Sequence, residues 1–256
     1  MKWFLDLTTR SKLFVGFGLM VVFVAIVIAI AYRGIEEIQT SQKSLYQREL
    51  ANALDSMNLR SNVNGVRADL LSMMVATRQS DQETWHQDVR ERSKHITQIM
   101  QQLLERNRSD SRLVSRLEEL KAVHAAFTQT RDAELIPLIY AGKTDQAKTL
   151  ALGVQQERYG KMRAISRELE NAAEEEARAS VVQSELTAQH AVRYFIVAGI
   201  LAVLLAVAMT LFLGKVIALP LKAIAGVAGR VASGDLTVNV PDDKRADEVG
   251  SLGRAF

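Results

Sequence analysis

Three polar residues, Arg60, Asn64 and Arg67, are spaced so that a single helix would carry them on one side. They stand at positions i, i+4 and i+7, which lie on the same face of an α-helix. Guanidinium groups bind carboxylates through charge-assisted hydrogen bonds, and a half-buried amide needs a hydrogen-bond partner. The pattern predicts a binding site for a small molecule, which the arginines allow to be anionic. The alternative interpretation is that both arginines form exposed salt bridges and that Asn64 fixes the register of the helix.

A second polar set lies much later in the chain and could face the same site from a neighbouring helix. It consists of Gln155, Gln156, Arg158 and Tyr159. The alternative interpretation is that these side chains cover a solvated surface.

Residues that could carry catalysis or bind a metal form no recognisable pattern in this sequence. The chain has no cysteine, and no two of its four histidines stand at the i, i+4 spacing of a helical zinc motif. No nucleophile is paired with a base, and no phosphate-binding loop occurs. His124 lies on an apolar stripe and is interpreted as a packed histidine. We therefore expect a protein that is not an enzyme and has neither a metal site nor a cofactor.

Two apolar blocks, Leu13–Tyr32 and Tyr194–Leu213, each run for 20 residues without a charge. As helices they would span about 30 Å, the thickness of the hydrocarbon core of a bilayer. A cleaved signal peptide is the alternative for the first block, since Ala29-Ile30-Ala31 would supply a cleavage site. Its apolar core is longer than that of a signal sequence, so a membrane anchor is the preferred interpretation.

The flanking charges predict the topology. Lys12 and other basic residues precede the first block, whereas Lys215 and Lys222 follow the second. Basic residues beside a span stay in the cytoplasm, so both termini are expected inside and residues 33–193 outside. That exterior segment holds as many basic as acidic residues, and nothing in it predicts nucleic-acid binding.

The exterior segment has no alternating strand pattern and predicts an all-α, up-down-up-down four-helix bundle. Ser80 and Glu83 have the spacing of a capping box that would open the second helix. Pro137 is expected to kink the third helix, and Thr144 or Asp145 to cap the fourth. The predicted core stripes are Leu54, Met57, Ser61, Asn64, Ala68 and Leu71 in the first helix, Ile96, Ile99, Leu103 and Leu104 in the second, Leu113, Leu117, Leu120, His124 and Phe127 in the third, and Met162, Ile165, Leu169 and Ala172 in the fourth.

Beyond the second block, two short amphipathic helices are separated by a connector over residues 237–246. Pro220 lies in the first turn of the first helix, and Gly234-Asp235-Leu236 ends it. The run from Asp247 to Leu252 opens the second helix. Neither helix can bury its apolar stripe alone, but copies from two chains could do so as a parallel four-helix coiled coil.

These cytoplasmic motifs resemble a HAMP domain, and the whole chain resembles the sensing half of a methyl-accepting chemotaxis protein. The second resemblance adds the opening Met1-Lys2-Trp3-Phe4, Lys12-Leu13 and Gly16-Phe17. The second HAMP helix stops at Phe256, which predicts a fragment or a truncated product. The expected segments are a cytoplasmic tail (1–12), a first transmembrane helix (13–32), a periplasmic four-helix-bundle sensor domain (33–193), a second transmembrane helix (194–213) and a HAMP domain with a truncated second helix (214–256).

The resemblance implies a homodimer in the bacterial inner membrane that senses a small molecule or a periplasmic binding protein. It further implies control of a cytoplasmic histidine kinase and its coupling protein through a part missing from this chain. In amino-acid-sensing receptors, arginines on the first helix hold the ligand carboxylate, and Asn62 and Arg67 are similar to that pattern. Val63 and Asn58 depart from it.

For the signal relay, Pro220 is expected to join the second span to the HAMP domain, and Glu248 to join the two HAMP helices. Two other functions remain open. The chain could be the sensor half of a histidine kinase, or a truncated receptor-like membrane protein without an output domain.

Overall fold

A computed structural model describes residues 2–235, 237–238 and 245–255. Helices account for nearly all of these residues and none of them forms a β-strand, which confirms the predicted all-α class. The chain divides into two compact units. Residues 39–186 form the first, called the bundle, and residues 1–38 with 187–256 form the second, called the two-span unit.

Long helices dominate both units. Three π-helical segments, Leu45–Leu50, Arg131–Leu135 and Gly214–Ala218, continue one described helix into the next without a turn. In chain order the helices of the described residues are α1 (Lys2–Leu5), α2 (Thr9–Ser44), α3 (Ala51–Val75), α4 (Gln79–Arg106), α5 (Ser111–Thr130), α6 (Ile136–Tyr140), α7 (Thr144–Leu152), α8 (Val154–Leu213), α9 (Leu219–Ala232) and α10 (Glu248–Arg254).

The bundle packs α3, α4, α5 with α6, and α7 with the first half of α8 around one apolar core. Short turns join these helices, so that successive long helices run antiparallel as the sequence predicts. The largest fully buried apolar side chains come from α3, α4, α5, α8 and the π-helical segment before α6. They are Leu59, Leu70, Met73, Ile96, Leu103, Leu117, Leu120, Phe127, Leu135 and Met162.

The predicted core stripe of the third helix is confirmed, since Leu117, Leu120, His124 and Phe127 are all buried in α5. The stripe predicted for the first helix is wrong. Leu54, Met57 and Leu71 are 56%, 46% and 41% exposed, and Ser61 and Ala68 are also exposed. The face of α3 that enters the core carries Leu59, Val63, Val66, Leu70 and Met73. Both stripes have the 3-4 spacing of a packed helix, and the more apolar one is buried.

In the fourth helix, Met162, Ile165 and Leu169 are buried as predicted. The next buried residue is Ala173, whereas the predicted Ala172 is exposed. A step of four residues therefore follows Leu169, which keeps the buried stripe on the same face of the helix.

Two helix starts differ from the prediction. The second helix begins at Gln79 after Arg78, without a side-chain cap, so Ser80 and Glu83 form no capping box. Thr144 is the first residue of α7 and does not cap it. The cap that does form is Asp110, whose carboxylate accepts hydrogen bonds from the N–H groups of Arg112 and Leu113 at the start of α5.

Glycine and proline set the breaks in the bundle. Gly142, with φ of 68°, makes the turn between α6 and α7. Gly153 separates α7 from α8, where a Cβ atom would lie 2.8 Å from the carbonyl oxygen of Thr149. Pro137 lies in the first turn of α6, directly after the π-helical segment Arg131–Leu135, where the sequence predicts a kink.

In the two-span unit, two stretches are long and apolar enough to cross a membrane. They lie within the helical runs Thr9–Val75 and Thr144–Ala232, with mean hydropathy of 3.1 and 2.9. Only 6% of each stretch is buried in the chain itself, so neither is the core helix of a soluble domain. Such exposed apolar helices require lipid or another apolar surface around them.

The two apolar helices approach each other closely at glycines of the first one. A Cβ atom on Gly34 would lie 3.0 Å from the ring of Phe195 and 3.4 Å from the Cβ of Ala191. Gly16 lies in the same way against Met209 and Leu213. On the second apolar helix, small residues also recur every four positions on the covered side, since Ala198 is buried and Ala202 and Ala206 are half-buried. Small residues at such contacts let membrane helices pack at short range.

Replacing Gly34 with Leu should force the two membrane helices apart. The added side chain would overlap the Phe195 ring, and overpacking of this kind costs about 1–3 kcal/mol. The control is Gly18→Leu on the same helix, because nothing lies within 4 Å of a Cβ there. We expect G34L to lower the melting temperature of the chain in nanodiscs and G18L to leave it unchanged or raise it. Equal melting temperatures for the two variants would contradict this packing.

His124 is a buried histidine in the core of the bundle, as the sequence predicts. Its side chain is 7% exposed and its Nε2 atom has no hydrogen-bond partner. Burial, together with the nearby charge of Arg131, lowers the pKa of His124 to about 4, while Asp132 opposes the shift. The folded bundle therefore holds the neutral ring.

The free energy of unfolding should depend on pH through His124. The unfolded chain gains a proton below about pH 6.5, whereas the folded chain gains it only near pH 4, so stability is full above pH 6.5 and falls by up to about 3 kcal/mol towards pH 4. We expect His124→Gln to flatten this dependence in denaturant titrations of the full chain. His95→Gln, at an exposed position of α4, is the matched control. An unchanged pH profile for H124Q would contradict this assignment.

Candidate functional site

Arg67 is the buried centre of the predicted site. It is 8% exposed and lies on α3, from which its side chain crosses to the elements around the break at Gly153. Its Nη1 atom donates to the carbonyl oxygen of Ala151 at 3.0 Å, and its Nη2 atom donates to Oε1 of Gln156 at 2.7 Å. Its guanidinium carbon also lies 5.7 Å from the centroid of the Tyr159 ring. One side chain therefore ties α3 to both α7 and α8.

Asn64 joins Arg67 through Tyr159. The phenol of Tyr159 donates a hydrogen bond to Oδ1 of Asn64 at 3.1 Å. Asn64 and Tyr159 are half-buried and Gln156 is exposed, so the group opens to solvent on one side. These four residues, Asn64, Arg67, Gln156 and Tyr159, are called the α3–α8 polar cluster.

The charge of Arg67 has no carboxylate beside it. Among the ion pairs of residues 2–235, 237–238 and 245–255, none includes Arg67, whereas the nearby Arg92 lies 2.7 Å from a carboxylate oxygen of Asp69. Burial lowers the pKa of Arg67 below its ordinary value, and Tyr159 opposes this shift. A buried cation held only by neutral groups is a binding partner for an anion, since charge-assisted hydrogen bonds are the strongest available to it.

Arg60 does not enter the cluster. Its Nε atom lies 2.5 Å from a carboxylate oxygen of Glu170, and its side chain is 42% exposed. Exposed pairs of this kind contribute little to stability. For Arg60 the structure agrees with the alternative interpretation, an exposed salt bridge.

The later polar set divides between two faces of α8. Gln156 and Tyr159 contact α3, but Gln155 and Arg158 contact α5. Gln155 Nε2 donates to the carbonyl oxygen of Phe127 at 3.0 Å, and Arg158 Nη1 donates to the carbonyl oxygen of Ala126 at 2.8 Å. Residues three apart share a helix face, so the pairs 156/159 and 155/158 separate.

Pro220 lies where the second apolar helix meets α9. It lies in the first turn of α9, directly after the π-helical segment Gly214–Ala218. Proline has no N–H, so the carbonyl of Val216, four residues earlier, loses its α-helical donor. Arg245 supplies a replacement, because its Nη2 atom donates to that oxygen at 3.0 Å. Pro220 therefore creates an acceptor that binds the connector before α10.

Glu248 begins α10, and its carboxylate accepts two hydrogen bonds from Thr9 at the start of α2. The N–H of Thr9 donates at 2.7 Å and its hydroxyl at 3.1 Å. The hydrogen bond from the Thr9 N–H lowers the pKa of Glu248. The sequence predicts a link between the two HAMP helices at Glu248, whereas the structure shows a link to α2. The predicted helix start is confirmed, with Asp247 accepting a hydrogen bond from the N–H of Gly250.

Part of the predicted connector cannot be compared. Leu236 of the Gly-Asp-Leu motif and residues 239–244 lie outside the described residues, as do Met1 and Phe256. Of the residues that are described, no three His, Asp or Glu side chains gather as a metal site would require.

Two family comparisons agree with this architecture. Residues 6–188 match the family described as a four helix bundle sensory module for signal transduction. Residues 212–256 match the HAMP domain. Neither kind of domain is enzymatic. No solved structure matches the chain.

Among curated proteins, the chain is similar to one from Acetivibrio thermocellus named "Putative sensory transducer protein". The two are 29% identical over 140 residues, which is 55% of this chain and 25% of that protein. The chain thus matches about a quarter of the length of this relative. Because the first family match covers well over half of the chain, the chain belongs to the family of four-helix-bundle sensory modules for signal transduction, here followed by a HAMP domain.

Proposed function

We propose that this chain is the sensing part of a transmembrane receptor that binds a small anion at the α3–α8 polar cluster. The observation that carries the proposal is the buried guanidinium of Arg67, which has only neutral hydrogen-bond partners. Asn64 and Tyr159 supply an amide and a phenol beside it, and both can bind a carboxylate or phosphate oxygen. The exposed Gln156 lies at the mouth of the cluster.

Binding at this cluster would act on the position of α8. An anion that pairs with Arg67 competes with Gln156 and with the Ala151 carbonyl for the same N–H groups. Helix α8 is uninterrupted from Val154 to Leu213, so a displacement at its start can be carried along the helix. Shifts of about 1–2 Å are typical of helices in such switches, with coupling of about 1–3 kcal/mol.

The proposed location is the bacterial inner membrane, with the bundle outside and both termini in the cytoplasm. Basic residues flank the cytoplasmic ends of both apolar helices, Lys12 before the first and Lys215 after the second. The proposed relay then passes through Pro220 and Glu248. Its cytoplasmic target would be a histidine kinase with its coupling protein.

Replacing Arg67 with Met should weaken anion binding while keeping an unbranched side chain at this position. We would titrate acetate, succinate, citrate and inorganic phosphate into the full chain in nanodiscs and follow its melting temperature. At least one of these anions should raise the melting temperature. The R67M variant should bind that anion at least about tenfold more weakly, because a hydrogen bond to a charged group is worth about 1.5–3 kcal/mol.

The matched control is Arg60→Met on the same helix, because Arg60 already pairs with Glu170. R60M should bind the anion as the unchanged chain does. The proposal fails if none of the four anions stabilises the chain at millimolar concentration, or if R67M responds as strongly as R60M.

The second copy of the chain is the other proposed partner. Helix α3 presents apolar side chains to solvent on one face, Leu54 and Met57 near its start and Leu71 and Val75 at its end, with exposed fractions of 56%, 46%, 41% and 80%. Apolar residues along one face of a helix can form the seam of a coiled coil. A two-fold interface would place the same stripe of both copies face to face.

Single cysteines test this seam directly, because the chain has none of its own. We expect Leu71→Cys to form an inter-chain disulfide in membranes on mild oxidation. Gln87→Cys, at an exposed position of α4, is the control and should stay monomeric. Non-reducing electrophoresis measures the fraction of linked dimer. If Q87C cross-links as fast as L71C, the exposed face of α3 is not the interface.

A further inference from the structure

A buried ion pair joins the start of the first long helix to the start of the last one. Lys12, near the beginning of α2, forms an ion pair with Asp247, which caps α10. Both side chains are fully buried. Nζ of Lys12 also donates to the carbonyl oxygen of Leu5 at 2.7 Å. Residues 235 positions apart in the sequence are therefore held together in the two-span unit.

A second cation brings the end of the second apolar helix to the same carboxylate. Arg245 Nη2 donates to Oδ2 of Asp247 at 2.6 Å and to the carbonyl oxygen of Val216 at 3.0 Å. That carbonyl is the one left without a helical donor by Pro220. Asp247 therefore binds Lys12 of the first apolar helix directly. It is linked to the end of the second one through Arg245, which also binds the Val216 carbonyl.

Two weaker contacts support the ion pair. Thr9 donates to Glu248, and Asp6 accepts a hydrogen bond from the N–H of Ala246 at 3.2 Å. The three consecutive residues 246–248 are thus all bound by residues 6–12. Burial alone would raise the pKa of Asp247, but hydrogen bonds from Lys12, the Gly250 N–H and Arg245 hold it at about 2. The carboxylate is charged at any cytoplasmic pH.

A buried ion pair resists separation. Removing one partner leaves the other charge in a medium of low dielectric without compensation, which is far more unfavourable than losing an exposed pair. A small displacement of α2 relative to the second apolar helix must therefore either move α10 with it or break the pair. Both results change the state of the HAMP domain.

We propose that Asp247 is the point at which both membrane helices act on the HAMP domain, with Lys12 as the positioning residue on the first helix. The first span is then a second input to the relay and not only an anchor. The contact itself is independent of the ligand; its role as an input rests on the proposed function.

A disulfide pair measures this contact in the full chain. Asp6→Cys with Ala246→Cys should form an intra-chain disulfide in membranes, scored by protection of both thiols from a maleimide polymer. Arg10→Cys with Ala246→Cys is the matched control, because Arg10 is also exposed but its guanidinium lies over the Phe14 ring, whereas Asp6 accepts a hydrogen bond from Ala246. Adding Lys12→Met to the first pair should slow its oxidation by about tenfold, because Asp247 loses its buried partner.

Two further variants separate a positioning role from a general loss of packing. Lys215→Met removes a basic residue that is exposed at the end of the second span, and it should leave the oxidation rate unchanged. The conservative variant Lys12→Arg keeps a cation opposite Asp247 and should leave the oxidation rate within about threefold of the original, because the ion pair can still form.

The inference is overturned if the D6C/A246C pair oxidises no faster than the R10C/A246C pair. It is also overturned if K12M leaves the rate unchanged, or if K215M slows it equally. No ligand is present in any of these measurements. A failed anion titration with a successful cross-link would therefore reject the proposed ligand and leave the contact at Asp247 in place.

Discussion

Desolvation of charge is the constraint that organises both units of this chain. A guanidinium or ammonium group taken out of water must recover its lost hydration from partners, and an opposite charge is the usual one. Lys12 follows this rule with Asp247, and Arg131 follows it with Asp132 and the hydroxyl of Ser93. Arg67 meets the requirement with hydrogen bonds alone. That difference is why we propose the α3–α8 polar cluster as the anion site, whereas at Asp247 the charges already satisfy one another.

The apolar residues of α3 explain why a single copy of the chain leaves a surface unfilled. One face of the helix fills the bundle core with Leu59, Val63 and Leu70, and the opposite face exposes Leu54 and Leu71. A helix that is apolar on two faces needs two packing partners. The bundle supplies one of them, and the polar cluster containing Arg67 lies between the two faces. A ligand there would be close to both packing surfaces, which is where a small change in helix position has the largest effect on packing.

Much of this fold could be predicted from the sequence because long helices leave periodic patterns. The four helices of the bundle, the two apolar helices and the start of α10 at Asp247 all follow from spacing and from charge-free length. The choice between the two stripes of α3 did not follow, because both satisfy the same period and only tertiary packing decides between them. Spacing alone places Arg67 on a helix face beside Asn64. Its hydrogen-bond partners could not be predicted, because Ala151 and Gln156 lie more than 80 positions away in the sequence. The sequence around Lys12 indicates the topology and the family resemblance, but nothing in it indicates a partner at position 247.

The junction at Pro220 shows how a helix break can become a connection. A proline in a helix removes one donor, and the unpaired carbonyl normally turns to water. Here the carbonyl of Val216 is buried and binds Arg245, whose guanidinium also binds Asp247. If Pro220 were an ordinary residue, its N–H would compete with Arg245 for the same oxygen. The break therefore keeps the end of the second apolar helix bound to the start of α10 by a directional contact, and the ion pair from Lys12 binds the first helix to the same atom. Lys12 and Arg245 thus both bind Oδ2 of Asp247, which is why we propose that α10 responds to the difference between the positions of the two apolar helices.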